Sequence, residues 1–122
     1  DPEAFKKNYI ELIKQIRIVA PETSILFTTN NDSYRKKGKK YINNPNGELV
    51  RNAMFELASS QHAAVWDLFS IMGGLESMKQ WETQGLSQKD KIHFKAEGYQ
   101  LVGDMLYNAL IYDYLKYYYT IK

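Results

Sequence analysis

The sequence contains no cysteine. Disulfides, thiolate metal sites and cysteine nucleophiles are thereby excluded, and no redox compartment can be inferred. It also lacks a long hydrophobic run: no apolar stretch approaches the roughly 18 residues of a membrane-crossing helix. No charge of one sign prevails, since 16 basic side chains face 14 acidic ones for a net charge of +2. That balance does not announce a nucleic-acid binder. The basic excess lies early: residues 1–61 carry 10 Lys/Arg against 7 Asp/Glu (+3), and residues 62–122 carry 6 against 7 (−1). What is present is a hydrophobic fraction of 44% with ten tyrosines, which fits a globular chain and excludes simple disorder. The 122 residues amount to one domain. No signal peptide is expected at Asp1, and a chain opening on Asp is expected to be a piece of a longer protein.

The pattern along the chain predicts alternating helices and strands, with no internal repeat. Asp1 and Pro2 suit a helix start, and Phe5, Tyr9, Leu12, Ile13, Ile16 and Val19 recur at helical spacing up to Pro21. Residues 24–29 are short, apolar and β-prone, which predicts a buried strand. Asn30 to Asn46 reads as a polar, turn-rich loop. A second helix is predicted from about Glu48 to Ser60, with Leu49, Ala53, Met54, Leu57 and Ala58 inward. Residues 63–67 predict a second strand. Residues 68–86 predict one or two short helices, interrupted at Gly73-Gly74 and ended at Gly85. A last helix is expected from about Ala96 to Tyr117, with Tyr99, Val102, Met105, Leu106, Ala109 and Leu110 as its apolar stripe. This order implies α/β layers around a parallel sheet. Two strands are few for four helices, so either further strands are present or the chain is the second half of a larger α/β domain.

Asp90-Lys91-Ile92-His93 is the most informative constellation. An acid and a histidine three residues apart on a turn can lie side by side. The carboxylate then holds the imidazole Nδ1–H and leaves Nε2 free as a general base. Four residues alone fit an exposed loop with an incidental ion pair better. The continuation, His93-Phe94-Lys95-Ala96-Glu97-Gly98-Tyr99 running into an amphipathic helix with Gly103 and Asp104, resembles the last block of the SGNH hydrolases, also called GDSL esterase-lipases. The order of the upstream elements is similar to that family's second half across nearly all 122 residues.

The resemblance implies a three-layer, flavodoxin-like α/β fold with a parallel sheet, here its C-terminal half with about two strands and four helices. It implies a serine esterase acting on acyl esters, O-acetyl groups on carbohydrate among them, with no cofactor and no metal. His93 takes the serine proton, Asp90 orients the imidazole, and an acyl-enzyme forms and is hydrolysed. The family's Gly-Asp-Ser block and Gly-x-Asn-Asp block belong upstream, and neither is present. The nucleophile and oxyanion hole are therefore expected on a missing N-terminal segment or a partner chain. Ser33 lacks the preceding Gly and follows the wrong strand. Asn30 and Asn31, at the carboxyl end of a parallel strand, are expected to line the substrate edge, as ligand sites in α/β sheets do.

Arg35-Lys36-Lys37-Gly38-Lys39-Lys40, flanked by Tyr34 and Tyr41, reads as a solvated basic loop able to contact phosphate or acidic polysaccharide. A non-catalytic binding module using this loop, and a structural half-domain needing a partner, are the competing functions. His62 is expected at the surface or at a cap, Trp66 and Trp81 in the core. Tyr112, Tyr114, Tyr117, Tyr118 and Tyr119 are expected to cover a missing part or partner. Lys95 stands where the last helix wants an N-cap hydroxyl, with Glu97 in partial compensation.

Overall fold

A computed structural model describes residues 1–121. Helix α1 (Pro2–Val19) starts as expected: Asp1 Oδ1 accepts from the Glu3 N–H at 2.9 Å, with Pro2 in the first turn. Strand β1 (Leu26–Thr28) follows, then β2 (Tyr34–Lys37), β3 (Lys40–Asn43), α2 (Gly47–Ser60) and β4 (Ala64–Trp66). Two short helices, α3 (Leu68–Ile71) and α4 (Ser77–Thr83), lead to the long α5 (Ala96–Thr120).

Strands β1 and β4 pair in parallel, Leu26 opposite Ala64 and Thr28 opposite Trp66. Successive side chains leave opposite faces of a strand, and the two faces of this sheet feed two cores. Phe27 packs with Ile13, Met54, Leu57 and Ala58 beneath α1 and α2. Trp66 packs with Tyr34, Met72, Met78, Trp81 and Phe94, over which α5 lays Val102, Met105, Leu106 and Ala109. The chain is thus a helix–sheet–helix sandwich around a two-stranded parallel sheet.

The expected break at Gly73-Gly74 separates α3 from α4, which gives five helices among the described residues. Two expectations need correction. The Asn30–Asn46 loop contains an antiparallel hairpin, β2 against β3, with Tyr34 opposite Asn43 and Lys37 opposite Lys40. Its run of lysines is poor strand composition. The turn supplies the missing signal: Gly38, at φ +63°, is the first of the two residues joining the strands, and mirror-image hairpin turns require that sign. Finally, Leu12, Val19, Leu49, Tyr99 and Leu110 are exposed rather than inward. Two strands about 4.8 Å apart are too narrow to cover the full apolar faces of three helices. The aromatic end of α5 is exposed as well, with Tyr114 stacked on Tyr118 at 6.2 Å.

Candidate active site

The turn that carries Asp90 and His93 is a closed loop. Ser87 and Phe94 form an isolated antiparallel bridge at its base. The Gln88 N–H donates to the His93 carbonyl at 2.8 Å, and the Lys95 N–H to the Leu86 carbonyl at 2.9 Å. Inside the loop, the Lys91 N–H donates to the Gln88 carbonyl, and Lys91 itself adopts φ +55°. Asp90 then folds back on the chain. Its Oδ1 accepts from the N–H groups of Ile92 and His93 at 2.9 and 3.1 Å. Asp and Asn favour such turns because the side chain supplies a local acceptor.

The same carboxylate holds the histidine. Asp90 Oδ2 lies 2.8 Å from His93 Nδ1. The bond to His93 holds the Asp90 carboxyl below its ordinary value; burial opposes this, and the two backbone N–H groups reinforce it. An ionised Asp90 at Nδ1 selects the tautomer with its proton on Nδ1, which leaves Nε2 basic. The His93 side chain is 67% exposed and that of Asp90 31%, so the imidazole faces solvent while its anchor is partly covered.

Two strand-end segments converge on this turn. After β1, the Asn31 amide donates to the Ile92 carbonyl at 3.1 Å and to the Asp32 carbonyl at 2.7 Å. The Tyr34 N–H, at the start of β2, donates to the Lys91 carbonyl at 3.0 Å. Asn31 therefore stands beside the Asp90–His93 turn, but its donor is committed to backbone. Asn30 turns away: its amide nitrogen meets the carbonyls of Asn31 and Gly47 at 3.1 and 3.5 Å, and its Oδ1 is buried without a partner. The Ser33 hydroxyl receives the Asn44 amide at 3.4 Å.

Two acidic residues outside the expected site hold the frame. Asp32 is wholly buried; its Oδ1 accepts from Asn43 at 2.9 Å and its Oδ2 from the Met78 N–H at 3.0 Å, fastening β3 and α4 to the end of β1. Asp67, after β4, takes the Arg51 guanidinium at 2.6 and 2.7 Å and the Thr29 hydroxyl at 3.1 Å. Burial works to raise its carboxyl, but the hydrogen bonds from Arg51, Ser70 and Thr29 outweigh it and leave the group below its ordinary value. The order Asp67-Leu68-Phe69-Ser70 signals only a helix cap, which Asp67 also provides for α3. Nothing in it announces Arg51.

The remaining expected positions fall as follows. His62 is exposed and takes φ +50° just past α2, where the Ala63 N–H reaches back to the Ala58 carbonyl, a left-handed C-terminal cap. Trp81 is buried and donates Nε1–H to the Met72 carbonyl at 3.0 Å. Lys95 is the N-cap of α5 and makes no side-chain cap bond. Among the described residues no helix is long and apolar enough to cross a membrane, and no acidic, histidine or cysteine cluster could hold a metal ion.

No family model matches the sequence, and no curated protein matches it. Solved structures do. A peptidoglycan O-acetylesterase is 28% identical, with a TM-score of 0.80 over 90% of this chain and 32% of its own. The esterase domain of the ZfL2-1 ORF1 protein, from a zebrafish retrotransposon, is 19% identical, with a TM-score of 0.66 over 90% of this chain and 59% of its own. The chain is an α/β domain with part of an SGNH-type esterase fold. It spans about a third of the length of the first of these proteins and three-fifths of the second.

Proposed function

We propose that the chain is the C-terminal part of a single SGNH-type serine esterase domain and supplies its acid–base pair. His93 Nε2 removes the proton of a serine hydroxyl as that oxygen attacks an ester carbonyl, and returns it to the leaving alcohol. Asp90 holds Nδ1–H and stabilises the imidazolium that forms between those steps. Water then repeats the sequence on the acyl-enzyme. The serine and the oxyanion donors come from a segment N-terminal to Asp1 or from a partner chain. Asn31 lines the substrate edge, and Asn30 supports it from behind through the Asn31 carbonyl. The substrate is an acyl ester, with O-acetylated carbohydrate favoured by the likeness to a peptidoglycan O-acetylesterase.

One observation carries this reading. The 2.8 Å contact between His93 Nδ1 and Asp90 Oδ2 leaves a mostly exposed imidazole beside the end of β1, where parallel sheets present their ligand sites. The test is p-nitrophenyl acetate hydrolysis by the full-length gene product, its His93→Ala variant and the 122-residue chain alone. We expect His93→Ala to lower kcat by about a thousandfold or more in the full-length protein. We expect no His93-dependent turnover from the isolated chain. Equal rates for the full-length protein and its variant would remove the assignment.

A second reading, a half-domain completed by another polypeptide or another copy, is favoured by the open outer edges of β1 and β4 and the exposed tyrosines of α5. Sedimentation distinguishes it: a stable monomer at low micromolar concentration would count against it.

A further inference from the structure

The β2–β3 hairpin concentrates this protein's positive charge. Arg35, Lys36, Lys37, Lys39 and Lys40 are all exposed, and no acidic residue occurs between Asp32 and Glu48. Among the described residues, none of the five enters an ion pair; the cations that do are Lys6, Arg51, Lys91 and His93. Lys37 and Lys40 are direct cross-strand partners. Like charges so placed repel and destabilise a hairpin. An anion bound across them removes that cost.

The hairpin is also braced on the candidate active site. The Tyr34 N–H donates to the Lys91 carbonyl, one residue after Asp90 and two before His93. The Lys91 ammonium lies 5.7 Å from the Tyr34 ring centre and 5.9 Å from that of Tyr41, clamping both strands to the turn. Strand alternation puts Lys36 on the face that carries Tyr34, and its cross-strand partner Tyr41 shares that face. The cationic ribbon therefore runs out from the Asp90–His93 turn, and Lys36 lies on the side that meets it.

We propose that this hairpin docks an acidic glycan, a polysaccharide with repeated anionic groups, and holds an ester borne on it at His93. The proposal rests on the esterase reading. Five charges on strands that rise about 3.3 Å per residue match the repeated anions of a polymer better than the single group of a small ester. A glycan also provides the hydroxyls that carry acyl esters. Single-stranded nucleic acid is the less favoured polyanion, because its readers stack bases on free aromatic faces. Here Tyr34 is buried, and Lys91 lies over the Tyr41 ring.

The test is fluorescence anisotropy of labelled oligogalacturonate with the 122-residue chain, with dextran as the neutral control and single-stranded DNA of matched charge as competitor. Measurements at about 20 mM and about 200 mM salt change the screening length from about 20 Å to about 7 Å. We expect binding at low salt that weakens about tenfold or more at high salt, and none to dextran. The variant combining Arg35→Gln, Lys36→Gln, Lys37→Gln, Lys39→Gln and Lys40→Gln should lose about tenfold or more in affinity at low salt. If it does not fold, as judged by thermal melting, the double variant Lys37→Gln/Lys40→Gln should show a smaller loss in the same direction. The esterase reading is tested separately, by the full-length protein's hydrolysis of p-nitrophenyl acetate, which carries no polyanion, so the docking surface and the esterase reading fail separately. Absence of binding at low salt, glutamine variants that bind undiminished, or DNA that binds more tightly than oligogalacturonate would each overturn the proposal.

Discussion

The Asn31 side chain and the Ile92 carbonyl are joined by a 3.1 Å hydrogen bond across 61 residues of sequence. This bond ties the end of β1 to the turn that holds Asp90 and His93. It fixes the turn from the sheet side, while Tyr34 N–H fixes it from the hairpin side. Replacing Asn31 with Ala removes the sheet-side bond of this bracing. The bond is solvent-facing, so water can take over the carbonyl and the stability cost should be about 1 kcal/mol. The larger effect should be on order. Nuclear magnetic resonance should show Ile92 and His93 amides that exchange faster in Asn31→Ala, with α1 unchanged. Unchanged exchange at both positions would show that the turn is held by its own bonds alone.

Much of the frame was legible in the sequence because it depends on local signals. Asp1-Pro2 marks a helix start, Gly73-Gly74 a break, and residues 24–29 and 63–67 two strands; the structure shortens the strands to Leu26–Thr28 and Ala64–Trp66. The Asp90–His93 contact was also legible, since a three-residue spacing on a turn needs no distant partner. The hairpin was not, because three of its eight strand residues are lysine, a fourth is arginine, and only Gly38 marks the reversal. Nor could the pattern pair Asp32 with Asn43 and Met78, or Asp67 with Arg51. Those contacts depend on how β1, α2 and α4 are brought together. The helix faces were over-read for a related reason: periodicity identifies an apolar face, but the width of the sheet decides how much of it is covered.

The missing cap on α5 predicts an inexpensive gain in stability. Lys95 has the extended backbone of an N-cap, at φ −84° and ψ 178°, but no side-chain oxygen to accept from the first turn. Lys95→Ser places a hydroxyl there without adding a charge near Asp90. A cap of this kind contributes about 1 kcal/mol. Thermal melting should rise by about 4 °C. A melting temperature unchanged or lowered would mean that the helix start is already satisfied by its surroundings.

The Asp67–Arg51 pair predicts a specific acid sensitivity. Because the folded protein holds Asp67 below its ordinary value, the group stabilises the fold fully above the unfolded carboxyl value near 3.8. That contribution fades as pH falls through the lower folded value and the carboxylate is protonated. Arg51 stays charged throughout and is left beside a neutral partner. Asp67→Asn should therefore cost about 1–3 kcal/mol at pH 7. Its melting temperature should fall less steeply than the wild type's between about pH 5 and the acid limit, leaving the share due to Asp90. Parallel acid profiles for the two proteins would show that Asp67 does not titrate with folding.

Gly98 sets how closely α5 approaches the base of the Asp90–His93 loop. A Cβ at this position would collide with the Leu86 carbonyl oxygen and stand 3.1 Å from the Phe94 side chain. The obstructing atom is backbone, and that carbonyl already accepts from Lys95 N–H, so it has little freedom to withdraw. Gly98→Ala must push α5 away from residues 86–94 or break that bond. Alanine improves intrinsic helix propensity by up to about 1 kcal/mol. Overpacking against fixed backbone costs about 1–3 kcal/mol or more, so the clash should win. Denaturant unfolding should show a net loss of roughly 1–2 kcal/mol with an unchanged m-value. The same shift moves Phe94, next to His93, so Gly98→Ala should also lower ester hydrolysis by the full-length protein more than Lys95→Ser does. A stabilised Gly98→Ala protein would mean that α5 can slide on the loop without loss, and that the closeness of Gly98 to Leu86 is not what positions the histidine.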